Sequence, residues 1–201
     1  GAAVAASLIV NLGLLFYFKY INFAIDNINA VFQKAGIAVR CPDFDIVLPV
    51  GISFYTFQAL SYTMDVYRGE VEAERNLFKY ALFVSFFPQL VAGPIERSKN
   101  LLHQVNERHT FDADRVRDGL LLMLWGMVEK IVIADRVSYL VTYVYDNYTA
   151  LPGAAMVLAT VLFAVQIYCD FAGYSDIAIG AAQIMGFSLM ENFRQPYLAT
   201  S

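Results

Sequence analysis

Apolar residues fill most of the chain in long runs, and short polar connections separate one run from the next. The runs cover residues 2–18, Ile46 to Met64, Leu77 to Arg97, Gly119 to Asp135 and Ala154 to Phe187. A helix of about 20 mainly apolar residues is long enough to cross the hydrocarbon core of a bilayer. The pattern therefore predicts an all-α, polytopic membrane protein with several transmembrane helices.

Three stretches predict departures from straight spans. Residues 19–43 mix charged and apolar positions at near-helical spacing, which predicts an interfacial amphipathic helix or a helix packed at the bilayer edge. Pro88 interrupts the third run, so a bent or re-entrant segment explains it as well as a straight span does. The last run is either one long helix or two helices with a break near Gly173.

The composition supports a membrane location and argues against a nucleic-acid partner. Of the 201 residues, 58% are hydrophobic and 16% are charged, whereas a soluble domain usually has about 25% charged residues. The net charge is −4, and the sequence has no block of lysine and arginine residues to neutralise phosphates. Residues 98–118 are polar and carry several basic side chains, so the positive-inside rule makes them the expected cytoplasmic loop.

The sequence shows no repeat and no soluble domain, and we interpret residues 1–201 as one membrane-embedded unit. The chain enters an apolar run directly after Gly1 and stops at Ser201 without a polar tail. We therefore expect an internal piece of a larger membrane protein that continues at both ends.

Familiar metal-binding and catalytic patterns are not found in the sequence. His103 and His109 lie six residues apart in the polar stretch, which fits no metal site or triad, and both are expected to be solvated. The neighbouring residues Glu129 and Lys130 are expected to point to different helix faces and to mark the end of a helix. We predict no metal ion and no bound cofactor.

Polar residues inside the last run need an explanation, because a charge at bilayer depth costs about 2.5–3.5 kcal/mol on insertion scales. Gln166, Asp170 and Tyr174 fall on one helical face, whereas Asp176 lies about 240° round from Asp170. One alternative is that each aspartate pairs with a buried arginine or caps a broken helix. The other is that these residues line or brace a polar interior.

The second run repeats this pattern, because Tyr55, Gln58, Ser61 and Asp65 interrupt its apolar residues. Ser61 and Asp65 lie one helical turn apart on the same face. Hydrogen bonds between helices explain such residues, and so does a water-accessible tunnel. The sequence leaves these two interpretations open.

Five blocks of the sequence together resemble the membrane-bound O-acyltransferase family, and within it the bacterial branch that acetylates alginate and other exported polysaccharides. The blocks are LPVGISFYTFQALSYTMDVYRG (48–69), FFPQLVAGPIER (86–97), EKIVIADR (129–136), QIYCDFAGYSDIAIG (166–180) and ENFRQPYLATS (191–201).

The resemblance implies a membrane enzyme whose helices surround a polar interior tunnel. It implies an activated acyl group, such as acetyl-CoA, as a substrate arriving from the cytoplasm, and a polysaccharide hydroxyl as the acceptor. It further implies a bacterial inner membrane location and, besides membrane lipid, an extracytoplasmic acetyl-transfer protein as a partner. The candidate residues that line the tunnel or brace the site are Tyr55, Gln58, Ser61, Asp65, Gln166, Asp170, Tyr174, Asp176, Asn192 and Arg194.

The resemblance also bounds the interpretation. It places the catalytic histidine beyond Ser201, so we expect residues 1–201 alone to be inactive. Relatives commonly have asparagine-arginine where this chain has Arg194-Gln195, which shifts the positive charge by one residue. The alternatives are D-alanyl transfer to teichoic acid, a transporter or channel, and a non-catalytic scaffold.

Overall fold

The computed structural model describes residues 1–90, 93–94, 96–193 and 197, and all regular elements in this part of the chain are helical. This confirms the predicted all-α fold class. The elements are α1 (Ala2–Lys34), α2 (Ile52–Tyr67), α3 (Leu77–Val84), a 3-10 turn (Phe87–Gln89), α4 (Ser98–Val105), α5 (Ala113–Met127), a π-helical segment (Val128–Ala134), α6 (Asp135–Asp146) and α7 (Gly153–Met185).

The chain divides into two compact units. Unit 1 comprises Gly1–Ser85 and Arg97–Lys99, and unit 2 comprises Phe86–Glu96 and Asn100–Ser201. Among the described residues, two helices are long and apolar enough to cross a membrane: α1 in unit 1 and α7 in unit 2, with 33 residues each. At 1.5 Å per residue such a helix is about 50 Å long, well above the roughly 30 Å of a hydrocarbon core.

In unit 1, α1 continues without interruption to Lys34, so the separate interfacial helix predicted within residues 19–43 is wrong. Two asparagines on α1, seven residues apart, hydrogen-bond to the backbone of the segment that follows the helix. Asn22 exchanges two hydrogen bonds with the backbone of Phe44, at 2.8 and 3.1 Å, and Asn29 does the same with Cys41, at 3.0 and 2.8 Å. These pairs hold the non-helical residues 37–49 along the helix.

The α-helical path in the third apolar run stops before Pro88. The Asn76 side chain accepts hydrogen bonds from the backbone N–H of Phe78 and Lys79, which begins α3, and that helix ends at Val84. Pro88 then lies in the 3-10 turn, where its missing N–H does not interrupt a longer helix. The structure therefore has no straight helical span across this stretch, which was one of the two alternatives.

Unit 2 is organised around the antiparallel packing of α5 on α7, which meet at two glycine pairs. Gly119 faces Gly180, and Gly126 faces Gly173, so both helices use a seven-residue spacing. A Cβ added at Gly119 would lie 2.8 Å from the carbonyl oxygen of Gly180, so no larger residue fits. Small residues of this kind allow helix backbones to approach closely within a membrane. Gly173 therefore marks a close contact and not a helix break, since α7 runs unbroken through it.

Candidate functional site

In unit 1, the polar residues predicted on α2 make separate contacts and do not converge on one site. Gln58 is 4% exposed, and its Nε2 donates a hydrogen bond to the carbonyl oxygen of Phe83 at 2.9 Å. The Oδ2 atom of Asp65 accepts a hydrogen bond from Ser98 Oγ at 2.6 Å. Tyr55 and Ser61 are half-buried. The contacts of Gln58 and Asp65 are those expected of groups that join neighbouring segments.

Further polar contacts lie close to the C-terminal end of α2. The backbone N–H of Glu74 donates to the hydroxyl of Tyr62 at 2.7 Å. Beyond the helix, Lys99 Nζ lies 2.7 Å from Glu70 Oε2. The hydrogen bond and the positive charge of Lys99 hold the pKa of the exposed Glu70 carboxyl below its usual value.

In unit 2, Asp170 on α7 forms an ion pair with Lys130 of the π-helical segment. This agrees with the pairing alternative, with a lysine in place of the expected arginine. Neither Lys130 nor Glu129 marks a helix end, because the helical path continues through the π-helical segment into α6. Each π-helical turn holds more residues than an α-helical turn, so neighbouring side chains diverge less. Both residues consequently contact the same helix, α7.

Glu129 is buried against α7 at the Gly173 contact. It is 7% exposed, and a Cβ added at Gly173 would lie 3.1 Å from the Cβ of Glu129. Its Oε2 atom is buried without a hydrogen-bond partner among the described residues, and so are Gln166 Oε1 and Ser175 Oγ. Buried polar atoms are nearly always hydrogen-bonded, so these unpartnered oxygens on and beside α7 need an explanation other than packing. Glu129 was not among the candidate site residues predicted from the sequence, although its charged pair with Lys130 within an apolar run was the available signal.

A cleft of about 570 Å³ lies at the end of unit 2 where α5 begins and α7 ends. Its polar lining residues are Arg115, Asp176, Gln183, Ser188, Glu191 and Asn192, and apolar side chains complete its walls. Of the predicted residues, Asp176 and Asn192 are brought together here. Asp176 does not cap a broken helix, because it lies within the unbroken α7.

The remaining predicted residues of unit 2 lie outside this lining. Gln166 and Asp170 are on the part of α7 that precedes Gly173, and Tyr174 is half-buried. Arg194 falls outside the described residues. The described part of the chain contains no group of three or more His, Cys, Asp and Glu side chains that could hold a metal ion.

One wall of the cleft is the segment 186–193, which directly follows α7 and which we call the strap. Gln104 of α4 binds the strap backbone at Ser188, and Phe187 lies against His109 with ring centroids 4.4 Å apart. His109 is therefore half-buried and not solvated as predicted, because its ring covers Phe187. His103 is exposed and lies 3.0 Å from Glu107. No local sequence pattern identifies these long-range contacts.

These features define an all-α membrane protein with buried polar groups beside a long apolar helix and a cleft at the end of that helix. The membrane-bound O-acyltransferase family matches residues 72–199, well over half of the chain. The chain therefore belongs to the membrane-bound O-acyltransferase family, as the sequence blocks predicted.

Relatives agree with this assignment. The chain is 42% identical to the probable alginate O-acetylase AlgI of Pseudomonas putida over 192 residues, which cover 96% of this chain and 39% of the relative. It is 42% identical to the protein of the same name from Pseudomonas aeruginosa, over 96% of this chain and 36% of the relative. It is 30% identical to a peptidoglycan O-acetyltransferase of Helicobacter pylori, over 96% of this chain and 40% of the relative. The chain thus spans about two fifths of the length of these curated relatives.

Proposed function

We propose that the complete protein transfers acetyl groups across a membrane to hydroxyls of an exported polysaccharide. The observation that carries this proposal is the 42% identity to alginate O-acetylases over 96% of the chain. The 30% identity to a peptidoglycan O-acetyltransferase supports the same reaction on a different polymer, so the acceptor is proposed as a class. The location that follows is the inner membrane of a bacterium, with the helices in contact with lipid.

The donor is an activated acyl group, acetyl-CoA or another thioester, and it is a substrate and not a resident cofactor. In the transfer from the thioester, the acceptor hydroxyl oxygen attacks the carbonyl carbon, a new C–O bond forms and the C–S bond of the donor breaks. The hydroxyl proton leaves to a general base within about 2.6–3.2 Å and ends on the released thiol. An extracytoplasmic acetyl-transfer protein is the proposed partner that completes delivery to the polysaccharide.

The cleft in unit 2 is the proposed entry point of the donor. It lies at the start of α5 and is lined by Arg115, which belongs to the basic stretch 98–118 that the positive-inside rule assigns to the cytoplasmic side. Because α7 runs antiparallel to α5, the strap and Asp176 lie at the same end of the unit. The cleft therefore opens where a cytoplasmic thioester would arrive.

We assign different roles to the polar side chains of the two units. Gln166 on α7 and the buried Glu129 beside that helix lie within apolar runs, and polar side chains in such runs of a membrane protein usually face a protein-enclosed path. We assign them, with Asp170, Tyr174 and Asp176, to the wall of the tunnel. Tyr55, Gln58, Ser61 and Asp65 brace unit 1, and Asn192 lines the cleft. Arg194 is retained as a candidate from the sequence alone.

The test is a deletion strain complemented with the complete protein, in which ester-linked acetate and ester-linked D-alanine of the cell envelope are both measured. Acetate that disappears on deletion and returns on complementation is the expected result. A loss confined to ester-linked alanine would replace acetyl transfer with D-alanyl transfer. If both ester levels stayed unchanged, the proposed reaction would be wrong.

A further inference from the structure

The strap supplies more than half of the described residues that line the cleft, so its position sets the shape of that cleft. It leaves α7 at Gly186, whose φ of +95° is in the left-handed region that favours glycine. A Cβ added at Gly186 would lie 2.8 Å from the Cβ of His109, which leaves no room for a larger residue. The chain therefore turns sharply at the end of α7 and passes directly along the cleft.

The side-chain amide of Gln104 hydrogen-bonds to the strap through both its nitrogen and its oxygen. Its Nε2 donates to the carbonyl oxygen of Ser188 at 2.9 Å, and its Oε1 accepts from the backbone N–H of Ser188 at 2.7 Å. The side chain thus completes the hydrogen bonding of one strap residue, as a neighbouring strand would. The same Nε2 also lies 3.1 Å from the carbonyl oxygen of Asn100, which fixes the side chain on α4.

Two further contacts hold the strap independently of Gln104. Glu96 is 1% exposed, and its carboxylate accepts hydrogen bonds from the backbone N–H of Met190 and from Asn100 Nδ2. The ring of Phe187 lies between those of Phe86 and His109, with centroid distances of 4.9 and 4.4 Å. Because these contacts persist without the Gln104 amide, removing that amide is expected to loosen the strap and not to unfold it.

We propose that Gln104 is a positioning residue for the acyl donor: it holds the strap in the place that gives the cleft its donor-binding shape. The proposal rests on the proposed function of the cleft. Gln104 is not among the described residues that line the cleft, so it acts through the backbone of Ser188 and not by touching the donor. The role belongs to substrate binding, because the strap forms one wall of the cleft.

The experiment uses membrane vesicles that carry the complete protein, expose its cytoplasmic side and enclose the acetyl-transfer partner and the acceptor polysaccharide, with acetyl-CoA as the probe at varied concentration. Gln104→Leu removes two hydrogen bonds to the strap and is expected to raise the KM for acetyl-CoA about tenfold, with kcat within about twofold of wild type. Gln104→Glu keeps the acceptor for Ser188 and loses the donor, so an intermediate rise of about threefold is expected. Gln33→Leu, at an exposed position on α1, is the matched control and leaves KM unchanged.

Hydrogen exchange of the strap amides is measured on the same proteins. It shows whether Gln104 holds the strap, and it does not require activity. Faster exchange at Ser188 in Gln104→Leu, together with the rise in KM, is the expected result. An unchanged KM, or a fall in kcat alone, would overturn the positioning role, and so would unchanged exchange at Ser188. If wild-type vesicles transferred no acetate, the proposed function would fail instead, while the exchange data would still decide whether Gln104 holds the strap.

Discussion

Helices α2 and α7 both carry polar side chains in apolar surroundings, but those of α7 include buried atoms without a partner. On α2, Gln58 donates to a backbone carbonyl and Asp65 accepts from a serine hydroxyl. On α7, the buried atoms Gln166 Oε1 and Ser175 Oγ have no hydrogen-bond partner among the described residues. Satisfied groups stabilise a fold, whereas an unsatisfied buried group costs about 1–3 kcal/mol. The polar side chains of α2 therefore serve packing, whereas α7 also has buried polar groups that packing does not require.

The glycine contacts of α7 should give the largest effect when they are broken. In Gly180→Ala the new methyl carbon would lie 2.5 Å from the carbonyl oxygen of Gly119, so the two backbones must separate. We expect a loss of about 3 kcal/mol in the free energy of unfolding. Unfolding of the complete protein in mixed detergent micelles measures this loss.

Gly13→Ala is the matched control, because nothing lies within 4 Å of a Cβ added at Gly13 in α1. Alanine in place of glycine within a helix should stabilise the protein by about 0.5–1 kcal/mol. If the two variants had equal stability, the packing of α5 against α7 described above would be incorrect.

The second largest effect should come from the ion pair between Lys130 and Asp170. Lys130→Met leaves the carboxylate on α7 without its partner, at a depth where a charge is costly, and we expect a loss of about 2 kcal/mol. The double variant Lys130→Met/Asp170→Leu removes both charges and should recover most of the stability. A double-mutant cycle of unfolding free energies measures the coupling.

Lys99→Met serves as the comparison variant for this cycle, because its pair with Glu70 is as exposed as the pair of Lys130 with Asp170 but lies in a polar connection and not beside the apolar helix α7. Ion pairs in contact with water contribute little to stability, so the loss should be far smaller than for Lys130→Met. Equal losses in the two methionine variants would show that the pair on α7 is no more important than a surface contact.

The helices of this fold could be predicted from the sequence because their signals are local. The length of the last apolar run made an unbroken α7 one of two alternatives, and Pro88 made an interrupted third run one of two alternatives. The extent of α1 was underestimated, because Asn22 and Asn29 satisfy polar backbone groups that lie far along the chain.

The candidate site was predicted only in part, because its geometry depends on long-range contacts. Asp176 and Asn192 were expected and lie in the same cleft, but nothing in the sequence indicates that Gln104 binds Ser188, 84 residues away. The π-helical segment was also missed, since no local pattern around Glu129 indicates a change of helix type. Local patterns predict elements, and side chains distant in sequence then form the site.

A smaller effect is expected when a satisfied polar group on α2 is removed. Gln58→Leu deletes the donor to the carbonyl oxygen of Phe83 and fills a similar volume, so the loss should be about 1 kcal/mol. The loss should appear in unfolding free energy and leave acetyl transfer per folded molecule unchanged. A variant that folds normally but transfers less acetate would contradict the bracing role of α2.

Gln166→Leu makes the same chemical change on α7 and should not destabilise the protein. Its buried Oε1 has no partner to lose, so replacing the amide by an apolar group of similar size should leave the unfolding free energy unchanged or raise it by about 1 kcal/mol. Acetyl transfer should nevertheless fall several-fold, because a tunnel wall would lose a polar group that the passing substrate uses. Measuring both quantities in the same preparation separates the two helices: Gln58→Leu should lower stability without lowering activity, and Gln166→Leu should lower activity without lowering stability. If Gln166→Leu instead destabilised the protein as much as Gln58→Leu does, the polar groups of both helices would serve packing, and the contrast between α2 and α7 would have no functional meaning.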